Sequence, residues 1–441
     1  MENKKQLAHF KEISGKKVEV DFDGGEVTSD AGVLFLRQTE AQLGIIERIA
    51  EVLRDRRHPG YIKHSFVDLL RQRVFQIACG YEDGNDANDL RTDPVMKMAC
   101  ERLPISDEPL ASQPTISRFE NALSRTDLYR LAEAFLEGFI ASYETAPEAI
   151  ILDFDETADP THGHQQLALF NAFHDNYCYL PLHVYEGKSG KLITTILRPG
   201  KRPSGKETVA ILTRLVKRLR AAWPKVGILL RGDAHYSTPE VFDFCHVHNL
   251  QYVLGLTPKE PLLQKVRSLV ELAKQHFLRD EQPTQLFGDL HYQAGSWSRP
   301  ERIIVKAEHN DKGANTRFLV TNLKDARPQF IYQTVYTDRG RAELWIKEHK
   351  THLLSDRTSC CRFEANQFRL FLHSLAYVLL QALRELHLKG TELATAQFNT
   401  IQKRLLKIGA RVRQLTTKIK ISLPSSFPLK QEFYRICLSV T

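Results

Sequence analysis

The chain has 441 residues, enough for roughly two to four domains. Its 42% hydrophobic content supports a sizeable core and excludes global disorder, and its formal net charge of +8 favours polyanions over cations as partners. Seven cysteines form no CxxC pair, which excludes a disulfide framework and a cysteine-built zinc site and suits a reducing compartment. The opening "MENKKQLAHFKEISGKK" lacks the apolar core of a signal peptide, and no run approaches the ~18 apolar residues of a membrane span. The expected location is cytoplasmic, with no membrane contact.

After a basic lead, "VEVDFDGGEVTSDAGVLFL" reads as a strand, a Gly-Gly turn and entry into a helix. From about Val33 to Glu144 the apolar period is helical, broken at "RRHPGY", "YEDGNDANDLRTDP" and "ERLPISDEPLASQPT". At Glu148 the texture changes. "AIILDFDET" is an apolar, β-branched run ending in acids, as in a central strand, and "YLPLHVYEG" and "KLITTILRPG" follow as two more strands. "KETVAILTRLVKRLRAAWP" is an amphipathic helix. "VGILLRGDAHY" is a second buried strand ending in an acid, "TPEVFDFCHVHNL" a helix capped by Thr238 or Ser237, and "QYVLGLT" a further strand. "FGDLHYQAGSWS", "ERIIVKAEHN" and "TRFLVTNL" then indicate a β-rich insertion. A strongly apolar helix runs from Arg362 to Leu388, and "IQKRLLKIGARVRQLTTKIKIS" is a basic tail with an apolar stripe at Leu405, Ile408 and Val412.

Three acids sit at structural transitions. Asp153 and Asp155 lie two apart on one strand and share a face, about 6–7 Å from each other. Burying both without compensation is costly, so a metal ion, an arginine partner or exposure at the strand end is required. Asp233 lies just past the C-terminal end of an apolar strand, where open α/β sheets place their ligands; pairing with Arg231 is the structural alternative. Glu343 lies in "YTDRGRAELWIKEHK", where Arg339, Glu343, Lys347 and Lys350 fall on one helical face. Thr337 and Asp338 are candidate N-caps there, and Leu344 and Trp345 candidate anchors. Carboxylates flanked by Arg and Lys suit magnesium chemistry on phosphodiesters: hard oxygen ligands for the metal, cations for the phosphate.

The spacing Tyr336-x2-Arg339-x3-Glu343-x6-Lys350 resembles the Y-R-E-K signature of one branch of DDE transposases from bacterial insertion sequences. "DET" at Asp155–Thr157 is similar to that branch's first motif and "RGDAHY" to its second. "DFDGGEVTSDAG", "SQPTISRFENAL" and "DFDETADPTHGHQ" resemble the group often called thirteen-eighty, over essentially the whole chain. The resemblance implies an α/β fold with an RNase H-like catalytic core, a β-rich insertion between the second and third acids, and an α-helical N-terminal region. It implies Asp155, Asp233 and Glu343 as catalytic, metal-binding residues using Mg²⁺, with Mn²⁺ as a substitute; Asp153 stays open as the first ligand. It further implies Tyr336, Arg339 and Lys350 as phosphate and DNA-end contacts, a task that Lys347 suits by its charge beside Glu343, and Trp297 as a residue that stacks on a flipped base or, equally, a hairpin core aromatic. The implied reaction cuts double-stranded DNA at terminal inverted repeats and joins the 3′-OH ends to target DNA, through hairpin ends, in a homodimeric synaptic complex on the bacterial nucleoid. An inactive end-binding protein and a nuclease without strand transfer are the alternatives.

The expected domains are a mainly helical end-binding and dimerisation region at 1–145, a catalytic domain at 146–260 and 336–395, an insertion at 261–335 and a tail at 396–441. Gly200-x4-Gly205-Lys206 nearly spells a P-loop, but Glu207 occupies the Ser/Thr position and would repel phosphate, leaving a DNA-facing basic turn through Lys201, Arg202 and Lys206. His162, His164 and His235 are structural or DNA-contact groups before they are zinc ligands. In "SQPTISRFENAL" a helix starting at Ser112 or Thr115 carries Gln113, Ser117 and Arg118, either as base readers or as structure.

Overall fold

A computed structural model describes residues 8–440. These form two compact units, one of residues 8–50, 55–120 and 379–440, the other of 51–54 and 121–378.

The second unit is built on an eight-stranded sheet. Its strands are β1 (Ala149–Glu156), β2 (Leu182–Glu186), β3 (Leu192–Ile196), β4 (Gly227–Gly232), β5 (Gln251–Leu256), β6 (Thr284–Tyr292), β7 (Glu301–Asn310) and β8 (Gly313–Thr321), in spatial order β6-β7-β8-β5-β4-β1-β2-β3. β1, β4 and β5 are parallel, and every other pairing is antiparallel. Helices cross between the parallel strands because such connections need a long return path. Ile150, Leu152 and Phe154 of β1 point into a core with Leu212, Leu215, Val216 and Leu219 of helix Gly205–Ala222. Each such side chain, fully buried, contributes about 1.5–3 kcal/mol. The insertion adds β6, β7 and β8 to the edge of the same sheet through β8 against β5. It also contains helix Arg267–Asp280, which the alternating pattern of its neighbours concealed.

Helix Gly205–Ala222 explains the failed P-loop. Ser204 and Glu207 form a reciprocal capping box: the Ser204 hydroxyl accepts from the Glu207 N–H, and the Glu207 carboxylate accepts from the Ser204 N–H. Glu207 therefore serves the helix start.

In the first unit, strands Ala8–Ile13 and Lys16–Val20 form a hairpin. The helices include Val33–Leu43, Phe66–Ala78, Pro94–Ala99 and Gln113–Glu120. Arg73 and Glu120 are paired and fully enclosed here, at 2.8 Å. Residues 396–440, basic in composition, pack within this unit. Strands Ala410–Gln414 and Ile419–Ser422 form a sheet with Val27–Thr28, and the Ala31 N–H donates to the Ile408 carbonyl. Leu405, Ile408 and Val412 are buried, but Leu405 sits in a helical turn and Val412 in a strand, so they form no helical stripe.

Candidate active site

Two acids reach the same edge of the sheet because β1 and β4 are neighbours in parallel register. Arg231 faces Asp153 and Gly232 faces Phe154, so Asp155 and Asp233 follow side by side at the C-terminal ends, on strands about 4.8 Å apart. Asp155 Oδ1 accepts from the Glu156 N–H at 3.0 Å, and Asp233 Oδ1 from the His235 N–H at 2.9 Å.

The third acid comes from a helical segment that begins at Pro328 and continues through π and 3-10 turns into helix Gly340–Lys347. Thr337 and Asp338 do not cap it. The chain is already helical when it reaches them, so the Thr337 hydroxyl donates back to the Gln333 carbonyl. Asp338 faces Arg231 and Arg341 instead. Ala342, Trp345 and Ile346 anchor the helix, whereas Leu344 is exposed, contrary to the anchoring role its apolarity suggests. A Cβ at Gly190 would stand 2.6 Å from the Trp345 ring, so this turn of positive φ, 72°, is also where the indole needs a side chain missing.

Asp153 is buried, and both its oxygens are taken by Arg231, Nε to Oδ1 and Nη2 to Oδ2, each at 2.6 Å. Arg231 Nη1 donates in addition to the Val335 carbonyl at 2.7 Å and lies 3.3 Å from Asp338 Oδ2. Thus Arg231 pairs with Asp153, not Asp233, and ties β1 and β4 to the segment carrying Glu343. A Cβ at Gly187 would meet Arg231 Nη2 at 2.5 Å.

Arg339 lies over the site. Its Nη1 donates to Asp155 Oδ2 at 2.9 Å, and its guanidinium sits 5.6 Å from the Tyr336 ring centroid. Asp155 is pushed up to about 6, chiefly by burial and further by the charges of Asp233 and Glu343, against the pull of Arg339. Burial raises the Tyr336 hydroxyl, and Asp233 adds to that rise. Asp155, Asp233, Glu343, Tyr336 and Arg339 thus share one electrostatic neighbourhood. Lys350 Nζ donates to Thr157 Oγ1 at 3.2 Å and to the Ala158 carbonyl, and lies 3.5 Å from Asp159 Oδ1. Burial pushes Asp159 up to about 7 despite Lys350.

Lys347, the last residue of the helix that carries Glu343, is exposed. Trp297 packs edge-on against Phe242 and Tyr292, at 5.2 and 5.6 Å. Arg118, in the first unit, is exposed and donates to Thr115 Oγ1 at 3.2 Å. Among the described residues, no group of three or more His, Cys, Asp or Glu side chains is positioned to hold a metal ion.

Sequence patterns gave no warning of Glu156. One of its oxygens meets His235 Nδ1 and the other Arg198 Nη2; burial pushes its carboxyl up, but these two partners together hold it below the ordinary range. The His235 imidazole is raised, first by that hydrogen bond. Directly across from Asp155 on β2 is His183, wholly buried, with neither ring nitrogen hydrogen-bonded and its ring 4.8 Å from that of His349. Glu156 shares the face of Leu152 and Phe154 and His183 that of Asp155, and both faces of the sheet are buried here, so spacing reads the two as core.

The sequence matches, over residues 10–441, the family described as transposase DDE domain group 1. The chain belongs to the DDE transposases. No curated protein matches it. The family makes DNA the partner of this transposase and makes the chain an enzyme of the nuclease and transposase class. Among the described residues no helix is long and apolar enough to cross a membrane.

Proposed function

We propose that this transposase belongs to the Y-R-E-K branch, near the thirteen-eighty group, and binds the terminal inverted repeats of an insertion sequence, cleaves at the element ends and joins the freed 3′-OH groups to target DNA. The observation that carries the proposal is the placement of Asp155 and Asp233 side by side at the ends of adjacent parallel strands, with Arg339 of the Glu343 segment bonded to Asp155. Three antiparallel strands followed by two parallel ones, in spatial order β3-β2-β1-β4-β5, is the arrangement expected of an RNase H-like core.

The donor set fits a hard divalent cation. Asp155, Asp233 and Glu343 offer only carboxylate oxygens, and the rise in Asp155 caused by the other two is the repulsion that a cation relieves. Those three residues would hold Mg²⁺, or Mn²⁺ in its place, and the bound ions supply activation of the attacking oxygen and stabilisation of the departing one. The chain's own cations do the remaining work. Arg339 and Lys350 neutralise and orient phosphate; the Tyr336 ring holds the guanidinium in place; Arg231, bonded to Asp153 and to the Val335 carbonyl, fixes the three structural elements that bear the acids. In this reading Asp153 is a positioning residue and Asp155 the first ligand. The helical N-terminal region, including Arg118, contacts the inverted repeat, and two protomers hold the two ends in synapsis.

The test is incubation of purified protein with labelled inverted-repeat DNA and Mg²⁺. Wild type cuts and joins, and Glu343→Ala binds ends without cutting. Binding alone by wild type would indicate an inactive end-binding protein, and cutting without joining a nuclease. Cleavage at wild-type rate by Glu343→Ala would remove the site assignment.

A further inference from the structure

Between β1 and β2 the chain makes a small three-stranded sheet, Asp159–Pro160, Leu169–Asn171 and Asn176–Tyr179. Its outer hairpin carries an aromatic surface with little cover. Phe173 at the tip is 88% exposed, and Phe170 and Tyr177, directly opposite each other, are 53% and 57% exposed with rings 5.6 Å apart. Single exposed apolar residues need no explanation, but three aromatics on one hairpin mark a surface that meets something.

The hairpin is held firmly. Asn171 Oδ1 accepts from the Phe173 N–H at 3.0 Å, and Asn171 Nδ2 donates to the Gly200 carbonyl at 3.0 Å. Tyr179 Oη donates to the Gln166 carbonyl at 2.6 Å. Gly200 lies so close beneath it that a Cβ would stand 2.3 Å from the Cys178 carbonyl oxygen.

Two features identify the occupant. The hairpin rests on the turn bearing the exposed cations Lys201 and Arg202, and Arg202 Nη2 reaches the Ala234 carbonyl, next to Asp233, at 3.1 Å. The third strand of this sheet, which pairs with Asn176–Tyr179, begins at Asp159, beside Lys350, four residues after Asp155. Asp175 is the one acid at the tip. Aromatic rings flanked by cations and continuous with a phosphate-handling site are the combination that receives unpaired nucleotides: bases stack on the rings while phosphates meet Lys and Arg. A protein partner would have less use for the cations.

We infer that Phe170, Phe173 and Tyr177 form a stacking platform for unpaired bases at the DNA end, with Lys201 and Arg202 gripping the adjoining phosphates. This rests on the transposase reading above and adds to it the part of the DNA that the hairpin takes.

The experiment uses the full chain in EDTA, so that no cleavage intervenes. Two duplexes are compared, one blunt and fully paired, the other with a few unpaired nucleotides at one end and 2-aminopurine among them. Wild type should bind the frayed duplex more tightly and quench the 2-aminopurine. Phe173→Ala combined with Tyr177→Ala should lose about ten-fold or more of that affinity, keep its affinity for the blunt duplex, and leave the quench unmade. Phe173→Trp should retain both. Equal binding of the frayed duplex by wild type and the double variant would overturn the platform while leaving the transposase reading intact. An altered sedimentation coefficient of the double variant with unchanged DNA binding would reassign the surface to protein contact and overturn it as well. Failure of wild type to bind either duplex would overturn the transposase reading itself.

Discussion

Asp153→Asn separates the buried pair from the proposed metal site. Asp153 and Arg231 are both enclosed, and two 2.6 Å bonds join them. Removing one charge of such a pair leaves the other uncompensated, at a cost of about 3–5 kcal/mol. Here Arg231 keeps the Val335 carbonyl and the partly exposed Asp338, which places the expected loss at the lower end, about 3–4 kcal/mol. For a unit of this size that corresponds to a fall in melting temperature of roughly 6–16 °C. Asp155→Asn should behave differently. Asp155 is ionised against burial and the repulsion of Asp233 and Glu343, which together outweigh its bond to Arg339, so its neutralisation should cost no more than about 1 kcal/mol while abolishing cleavage. Scanning calorimetry of both variants, with end cleavage measured below their transitions, checks the contrast. If Asp153→Asn melts within about 2 °C of wild type yet cuts no DNA, Asp153 is the ligand and the reasoning fails.

Three further outcomes follow from the titrating groups and the glycine turn. Asp155 lies near 6 in the folded chain, above its ordinary 3.8, so protons compete with the metal; cleavage should rise as pH increases through about 6 and then level off, and a flat profile from pH 5 to 8 (roughly one unit below the value to two above it) would contradict this. His183 is pushed down to about 3, first by burial and then by Lys350, so it stays neutral in the fold while the unfolded chain takes up a proton below about 6.5; stability should fall as pH drops through that window, and His183→Leu should flatten the fall in acid denaturation curves. Gly190→Ala places a Cβ against Trp345 at positive φ and should cost about 1–3 kcal/mol by denaturant titration, with a smaller effect showing that the indole moves freely.

Much of the second unit was legible because its strands are written plainly. "AIILDFDET" and "VGILLRGDAHY" are apolar runs ending in acids, and strands form within them at Ala149–Glu156 and Gly227–Gly232. The order of the three acids along the chain and the elements bearing them also followed from local pattern. What the sequence could not give was pairing. Asp153 and Asp155 share a strand face, and only the cross-strand register of Arg231 separates them, a fact of β4 lying beside β1. Val27–Thr28 finds its strand partner at Ala410–Arg411, a pairing no local period encodes. The false caps at Thr337 and Asp338 have a similar origin: Ser/Thr/Asp chemistry marks helix starts, yet the helical path from Pro328 overrides it.

The central claim is that Asp155, Asp233 and Glu343 together hold divalent cations. Titrating the protein with Mn²⁺ and following the free ion by electron paramagnetic resonance measures this without DNA chemistry. Wild type and Asp153→Asn should take up Mn²⁺ alike, and Asp155→Ala, Asp233→Ala and Glu343→Ala should each weaken uptake at least about ten-fold. Uptake unchanged in all three alanine variants would contradict the account.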